Sequence, residues 1–415
     1  MDNSMLFTMA LMLQEPWKVI RVELKEINGT KEMELHIYLG FERGSTFPCP
    51  VDGCGEQCKA YDTKEYQWRH LNFFQHKAII HAPLPRVKCG RHGIHRVHVP
   101  WARPGSGFTL LFESMVLELV KHMPVLAAAR LVGEHDTRLW RIITRLVEDA
   151  RARADDSGVA VVGVDETSRK GHSYITVFTD IEGSRALFVT TGKDAATVAE
   201  FRDDFIAHGG VPDEVRVAAS DMSPSFLRGM REAFPNATQV VDKFHVVKNA
   251  NDAVDKVRRE EAKTTPCLRK TKYIWLKNKG SLTEKQEEKL VSLSRMHLKT
   301  ERAYAMRLSL QDIYESCNTR DEASAAFKKL YFWMSHSRLA PMIEFGHTLK
   351  EHMQEILNFF EFRYTNAMSE GGNSVIQNIK CRARGFRVIE YFKTMIYLVR
   401  GRLDFSELFG DYAFG

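Results

Sequence analysis

Val159-Ala160-Val161-Val162-Gly163-Val164 is an unbroken apolar run that stops at Asp165. A strand with one wet face alternates apolar and polar residues. An unbroken run reads as a strand buried on both faces, and therefore as the centre of a covered sheet. The following sequence extends that sheet. Ser173 to Thr179 and Arg185 to Thr190 read as strands joined by a turn at Asp180 to Gly183. Ala195 to Ala207 reads as a helix, Val215 to Ala219 as a strand leading to Asp221, Pro224 to Ala233 as a helix, and Ala237 to Val241 as a fifth strand. The order β-β-β-α-β-α-β mixes hairpins with crossovers and predicts a mixed sheet carrying helices. Residues 243 to about 360 are helical in pattern, another helix starts near Asn366, and the chain ends helically near 400.

The segment before this sheet has other periods. Val19 to Leu24 alternates, Asn28-Gly29 follows, and Met33 to Leu39 alternates again, which is a hairpin signal. Short β-like runs lie at 66–71 and 77–82. Pro100 to Gly107 breaks the pattern. Three short helices follow, at Leu110–His122, Val125–Val132 and Thr137–Ala150, separated by a few residues around Gly133. That is the spacing of a helix-turn-helix. The chain thus reads as multidomain α/β: a β-rich zinc-binding module, a helix-turn-helix, then a mixed sheet with helices and an all-α insertion.

No apolar stretch approaches the length of about 20 residues that a membrane helix needs, and mean hydropathy is −0.31. Leu6 to Leu13 is short and lacks the flanks of a signal peptide, so the expected address is the cytoplasm. The net charge of +6 is compatible with a polyanionic partner. It is concentrated in residues 248–280, which hold ten Lys/Arg against four Asp/Glu with Tyr273 and Trp275 interleaved. This stretch is expected either to grip DNA or a partner subunit, or to be a solvated helix face.

Four of seven cysteines crowd the first quarter of the chain, which in a reducing compartment points to metal. Cys49-x4-Cys54 and Cys89-x2-His92 form two knuckle-like pairs, which suit tetrahedral Zn2+. Cys58 could take the place of Cys54, and buried free thiols are the plain alternative. His95 and His98 read as surface or packing residues. A module this small is expected to have little core, so that the metal carries much of its folding energy. In the third short helix, Arg138, Arg141 and Arg145 share a face, a pattern suited to phosphate and guanine contacts. An ordinary helical hairpin with a basic face would look the same.

The acids fall at telling places. Asp165 ends the first strand, and Asp221 follows the fourth, 56 residues later. Glu370 lies 149 residues beyond Asp221, on a helical face shared with Asn366, Asn373 and Gln377, while Val375, Ile376 and Ile379 lie elsewhere and can pack on the sheet. Two strand-end aspartates and a helical glutamate would make a hard-oxygen site for two divalent ions, Mg2+ or Mn2+, the arrangement that serves phosphoryl chemistry. Each acid alone is equally well a turn or cap residue. Glu166 and Asp180 compete with Asp165, although Asp180 suits the turn better. Asp242-Lys243-Phe244-His245 places an acid and an imidazole near the strand ends, either to order the site or as a helix cap with a satisfied histidine.

The segments GVDETSRKGHSYITVFTD, AASDMSPSF, VVDKFHVVKNAND and RYTNAMSEGGNSVIQNIKCRARGFR, in this order after a cysteine cluster and a helix-turn-helix, resemble bacterial insertion-sequence transposases of the ISL-three type. The resemblance spans about 49 to 400. It implies an RNase H-like core whose DDE triad falls on Asp165, Asp221 and Glu370, with an acid-x-x-His element at Asp242 and His245. It also implies a helical insertion ahead of the glutamate, and two Cys-x-x-Cys pairs, from which Cys49-x4-Cys54 and His92 depart. The expected parts are 1–100 (zinc module), 108–152 (helix-turn-helix), 157–248 (core, first part), 249–360 (helical insertion) and 361–415 (core, C-terminal part). The expected partners are the double-stranded DNA of transposon ends and target, and a second copy of the chain in a homodimer or larger oligomer; no membrane is expected, and the nucleoid is the expected place of work. Arg382, Arg384 and Arg387, with Lys380, are expected against phosphates near Glu370. The rival readings are a DNA-binding regulator with an inactive core and a structure-selective nuclease without strand transfer.

Overall fold

Alternate residues of the apolar run face different cores. Val161, with Val217, Ala219 and Val240, joins a cluster with helices on one side of its sheet. Val162 and Val164, with Ala218 and Phe178, join Phe201, Phe205, Phe226 and Phe234 on the other. The computed structural model that gives this arrangement describes residues 3–412, apart from 28, 30–31, 170–172 and 365–366. At 168–169, 173, 279, 367–373 and 411 it describes the backbone alone. The chain divides into two compact units, 1–151 with 403–415, and 152–402.

The first unit begins with helix α1 (Asn3–Ala10), which the sequence reading did not anticipate. Its sheet holds β1 (Lys18–Glu26), β2 (Met33–Gly40), β3 (Thr46–Pro48), β4 (Gln57–Phe73) and β5 (His76–Cys89) in the order β1-β2-β5-β4-β3, with β6 (Gly93–Arg96) on β5. The expected hairpin is present as the antiparallel β1–β2 pair; Asn28 of its turn lies outside the described residues. Strands β4 and β5 run well past the short runs expected at 66–71 and 77–82. Pro83 and Pro85 lie within β5. They fall after the β2 pairing has ended at Tyr38–His81, so they remove no bond to β2.

This unit also has more core than expected. Trp17, Phe47, Trp68 and Trp101 are at most 5% exposed. Trp101 meets Trp17 edge-on at 4.9 Å and Trp68 at 5.6 Å. The expectation of little core in this module is corrected: an aromatic core packs the sheet alongside whatever metal contributes.

Helices α2 (Leu110–His122), α3 (Val125–Val132) and α4 (Asp136–Arg151) lie close to their expected bounds. The hydroxyl of Thr109 caps α2 by accepting from the Phe112 amide. Gly133 turns the chain between α3 and α4 at φ 72°, where a side chain would be strained. Leu139, Ile142, Ile143, Leu146 and Val147 bury one face of α4.

In the second unit, β7 (Val161–Arg169), β8 (Ser173–Asp180), β9 (Arg185–Thr191), β10 (Val217–Ser220) and β11 (Thr238–Val241) form a sheet in the order β11-β10-β7-β8-β9. Strands β7, β10 and β11 are parallel to one another, and β8 and β9 complete antiparallel pairs. Helices α5 (Ala195–Ala207) and α6 (Pro224–Ala233) pack together against it. Then come α7 (Lys243–Glu261), α8 (Lys272–Leu276), α9 (Glu284–Ser294), α10 (Lys299–Ser316), α11 (Arg320–Ser335), α12 (Ala340–Glu351), α13 (Met353–Phe362), α14 (Ala367–Arg382) and α15 (Ile389–Arg400); α16 (Ser406–Phe409) belongs to the first unit.

One expectation about the basic stretch fails. Trp275 is no nucleic-acid platform: it is fully buried, its indole N–H donates to Thr271, and its ring meets Tyr304 edge-on. Arg258 and Arg259 are both paired with Asp255. An aromatic at helical spacing went to the core, while Tyr273 stayed 66% exposed.

Candidate functional site

Parallel strands deliver their ends to one edge of a sheet. Ala219 pairs with Gly163 on β7, and Ser220 pairs with Val241 on β11. Continuing that register sets Asp165, Asp221 and Asp242 side by side, each strand about 4.8 Å from the next. Three sequence-distant acids thus reach the same edge because three strands, joined by two crossovers, all run in the same direction.

Each acid is held locally. The Asp165 carboxylate accepts from the Glu166 amide at 2.7 Å. Asp221 accepts from the Ser223 amide at 2.8 Å, ordering the turn into α6. Asp242 is buried and caps α7 by accepting from the Phe244 amide at 3.2 Å. One turn into α7, the His245 Nε2 stands 3.5 Å from Asp165 Oδ1. Burial alone would push the His245 imidazole down. The nearby carboxylate of Asp165, with the charges of Asp242 and Asp221, holds it above its ordinary value. Glu166 is pushed up by burial first, then by the charge of Asp221, against the pull of Lys193. The negative charge at this edge raises both groups, although burial contributes the larger part for Glu166. A set of hard carboxylate oxygens with surplus negative charge fits divalent cations. Asp180, by contrast, is spent on the β8–β9 turn: it accepts from Gly183 and pairs with Arg185.

Glu370 lies on α14, but its side chain is outside the described residues, as are the side chain of Asn373 and all of Asn366. Further along α14, Gln377 Nε2 donates to Thr167 Oγ1 at 2.9 Å. This bond ties the helix of Glu370 to the strand of Asp165. Sequence reasoning passed over Thr167, although a residue two places from Asp165 on a strand shares its face. Ile376 and Ile379 are buried, as the helical pattern required. Arg382, Arg384 and Arg387 are exposed at and beyond the end of α14. Phe392 is in the core with Phe386 stacked on it at 4.9 Å.

In the first unit, donor atoms of Cys49, Cys54, Cys89 and His92 all lie within 4.8 Å of one another. The Cys54–Cys89 sulfurs are 3.8 Å apart, and Cys89 Sγ is 3.5 Å from His92 Nδ1. A tetrahedral zinc with sulfur at about 2.3 Å and nitrogen at about 2.05 Å sets such pairs roughly 3.8 and 3.6 Å apart. The donor set therefore fits zinc. Cys58 lies outside this group of four, bonding instead to the Glu56 carbonyl. Glu56 went unnoticed in the sequence; its carboxylate accepts from Cys89 Sγ at 3.2 Å and from the Gly90 amide, linking the two knuckles.

On α4, Arg138 pairs with Glu134 and lies over Phe108 at 4.3 Å. Arg145 is 3.7 Å from Asp149. Arg141 is exposed and makes no ion pair among the described residues.

Three family models match in register with these parts. Residues 45–92 match a zinc-finger of transposases IS204/IS1001/IS1096/IS1165, residues 97–147 the helix-turn-helix domain of transposase family ISL3, and residues 162–396 the ISL3 transposase domain. The chain is 27% identical over 366 residues to the transposase for insertion sequence element IS1557 of Mycobacterium tuberculosis, covering 80% of this chain and 82% of that one. It is 26% identical over 357 residues to the transposase for insertion sequence element IS1001 of Bordetella parapertussis, covering 82% and 86%. No helix among the described residues is long and apolar enough to cross a membrane. With a transposase domain that spans more than half of its length behind a zinc finger and a helix-turn-helix, the chain belongs to the ISL3 family of DNA-binding transposases.

Proposed function

We propose that this transposase works through an RNase H-like core in which Asp165, Asp221 and Glu370 hold divalent cations, magnesium or manganese. His245, capped into place through Asp242, serves that site. What supports this reading is the meeting of His245 with Asp165 at 3.5 Å on the sheet edge that Asp221 also reaches. Cations bound there would polarise a phosphodiester and make an attacking oxygen more nucleophilic. The carboxylates hold the negative charge that draws the ions in. The His245 imidazole, whose protonated form its acidic neighbours favour, steadies Asp165. Hydrolysis at the element's end breaks a P–O3′ bond and leaves a 3′-hydroxyl. That hydroxyl attacks a phosphorus of target DNA and expels another 3′-oxygen, with no covalent enzyme intermediate.

Cys49, Cys54, Cys89 and His92 hold zinc in this reading, and Arg138, Arg141 and Arg145 face the terminal inverted repeats. Arg382, Arg384 and Arg387 meet phosphates beside Glu370. The zinc module runs to about 100, the helix-turn-helix over 108–152 and the first part of the core over 157–248. The insertion spans 249–360, and the core resumes from 361. Two ends cut in step require at least a homodimer, working in the cytoplasm at the nucleoid.

The test is cleavage and joining of duplexes from the DNA flanking the gene. Asp165→Asn, Asp221→Asn and Glu370→Gln are each expected to lower cleavage by at least about a thousandfold while end binding persists. A variant that cuts at the full rate removes its residue from the triad.

A further inference from the structure

We propose that the zinc-finger sheet and the helix-turn-helix share one continuous track for the sugar-phosphate backbone of duplex DNA. It runs from the arginines of α4 across the loop 103–107 to Arg96 and Tyr66. The proposal deepens the reading that α4 meets DNA, and rests on it.

Two clefts carry the inference. One, of about 280 Å³, is lined by Arg138, Arg141 and Arg145. The other, of about 430 Å³, is lined by Tyr66, Arg96 and His98. Both take Arg103, Gly105, Ser106 and Gly107 as a wall, so the two clefts flank one loop, which a backbone passing from one to the other would cross. Among the described residues lining either cleft, Glu113 is the only carboxylate. It is 1% exposed and neutralised by Arg103 at 2.7 Å, with Ser106 donating to it at 2.8 Å. Arg138 is offset by Glu134, and Arg103 and Arg145 by Asp149, so the uncompensated charge in the clefts is that of Arg141 and Arg96.

The two ends are equipped alike. Arg141 and Arg96 are both exposed, and neither makes an ion pair among the described residues. Each offers a planar fork of N–H donors, the shape that fits phosphate. Arg96 lies 4.9 Å over the Tyr66 ring, and Lys64 Nζ is 6.0 Å from the same ring, so two cations gather about one aromatic ring.

Between the ends the loop leaves room for a backbone. Gly105 adopts φ 77°, and a Cβ there would meet nothing within 4 Å. The loop is already fixed: Arg103 reaches both Glu113 and Asp149, and Ser106 Oγ bonds to the loop backbone. A preformed cationic groove loses little order on binding. The α4 cleft offers chiefly arginine donors, and the other sets Arg96, His98 and Arg103 around apolar Trp68, Leu84, Val97 and Val99. The loop shared with the α4 cleft selects duplex DNA.

The experiment measures binding of the full chain to a fluorescent duplex taken from the DNA flanking the gene, across a salt series, with hydroxyl-radical footprinting. Arg96→Ala is expected to weaken binding about tenfold, to reduce the salt slope by about 1, and to lose backbone protection beside the α4 footprint. Pro104→Glu, an exposed position away from the zinc ligands, sets an anion on the track and is expected to weaken binding at least as much. Zinc content and melting temperature monitor folding, and Pro104→Glu decides the matter if Arg96→Ala loses zinc. Wild-type affinity, slope and footprint in the folded variants would overturn the shared track. Arg141→Ala separates the two readings: if it weakens binding while Arg96→Ala and Pro104→Glu do not, only the track fails. If the unaltered chain ignores the duplex at every salt concentration, the reading of α4 fails with it.

Discussion

Replacing Cys89 by serine tests what zinc does in a module that has its own core. The donors occupy 49–54 and 89–92, one end of the sheet, and Glu56 ties the two loops together. Structural zinc binds zinc-finger peptides with an apparent 10–16 kcal/mol, roughly, and such peptides unfold without it. Here Trp17, Phe47, Trp68 and Trp101 are all nearly inaccessible. At about 25 cal/mol per Å² and roughly 150–250 Å² each, their burial contributes on the order of 15–25 kcal/mol before entropy is counted, an upper bound. The two terms are comparable, and the aromatic one does not depend on metal. Cys89→Ser is therefore expected to release one zinc per chain and to loosen the knuckles while the sheet persists. Hydrogen exchange is the assay. Protection should vanish at 49–56 and 89–96 and survive in β1, β2 and the middle of β5, and DNA binding should fall about tenfold, as on loss of Arg96, and no further because α4 stays in place. Loss of protection throughout the sheet would refute the reasoning, since metal would then be holding up the core. A full complement of zinc in the variant would remove Cys89 from the ligand set.

Acid should weaken the first unit through His70. Burial, and after it the charge of Arg69, pushes its imidazole down to about 4, while an unfolded chain binds the proton near 6.5. The unfolded state thus takes up more protons between those values. The contribution is complete above about pH 6.5 and is lost as pH falls toward 4, to at most about 3 kcal/mol. Urea titrations at stepped pH, followed by tryptophan fluorescence, should show this fall, and His70→Asn should flatten it; an equal fall in the variant sinks the assignment. Gly229→Ala should cost about 1–3 kcal/mol, because a Cβ there would stand 2.8 Å from Val198 Cγ2 and 3.3 Å from the Ala195 backbone where α5 meets α6. A thermal melt unchanged by that substitution would mean the two helices can part at no cost. Thr167→Val removes the hydroxyl that receives Gln377, a bond of roughly 1 kcal/mol. Cleavage should then require several-fold more magnesium with end binding unaltered, and an unshifted magnesium dependence would show that the bond does not position α14.

Much of this molecule could be read from its residues. The strand at Val161 was legible because an unbroken apolar run has to be covered on both faces, and alternate valines do face two different cores. The helices at 110–122, 125–132, 195–207 and 224–233 were legible because local period and capping residues fix where a helix begins and ends. Long strands interrupted by proline were not legible, since whether a missing N–H matters depends on which neighbour is present at that rung. Nor was the fate of Trp275: basic residues around an aromatic ring look the same in a DNA platform and at the edge of a core.

The sequence alone determined which chemistry was available: carboxylates at strand ends, thiols and an imidazole at knuckle spacing, arginines on one helical face. These follow from side-chain type and local period, which need no knowledge of distant contacts. Only the tertiary structure decided which of them meet. Parallel pairing of β7, β10 and β11 brings Asp165, Asp221 and Asp242 to a common edge and lets His245 reach Asp165. Folding of the cysteine loops gathers Cys49, Cys54, Cys89 and His92 in one group and sets Cys58 in another with Glu56 and Cys89. Pairing and register are set by the sum of many weak non-local contacts, so they have no signature in any single stretch of chain.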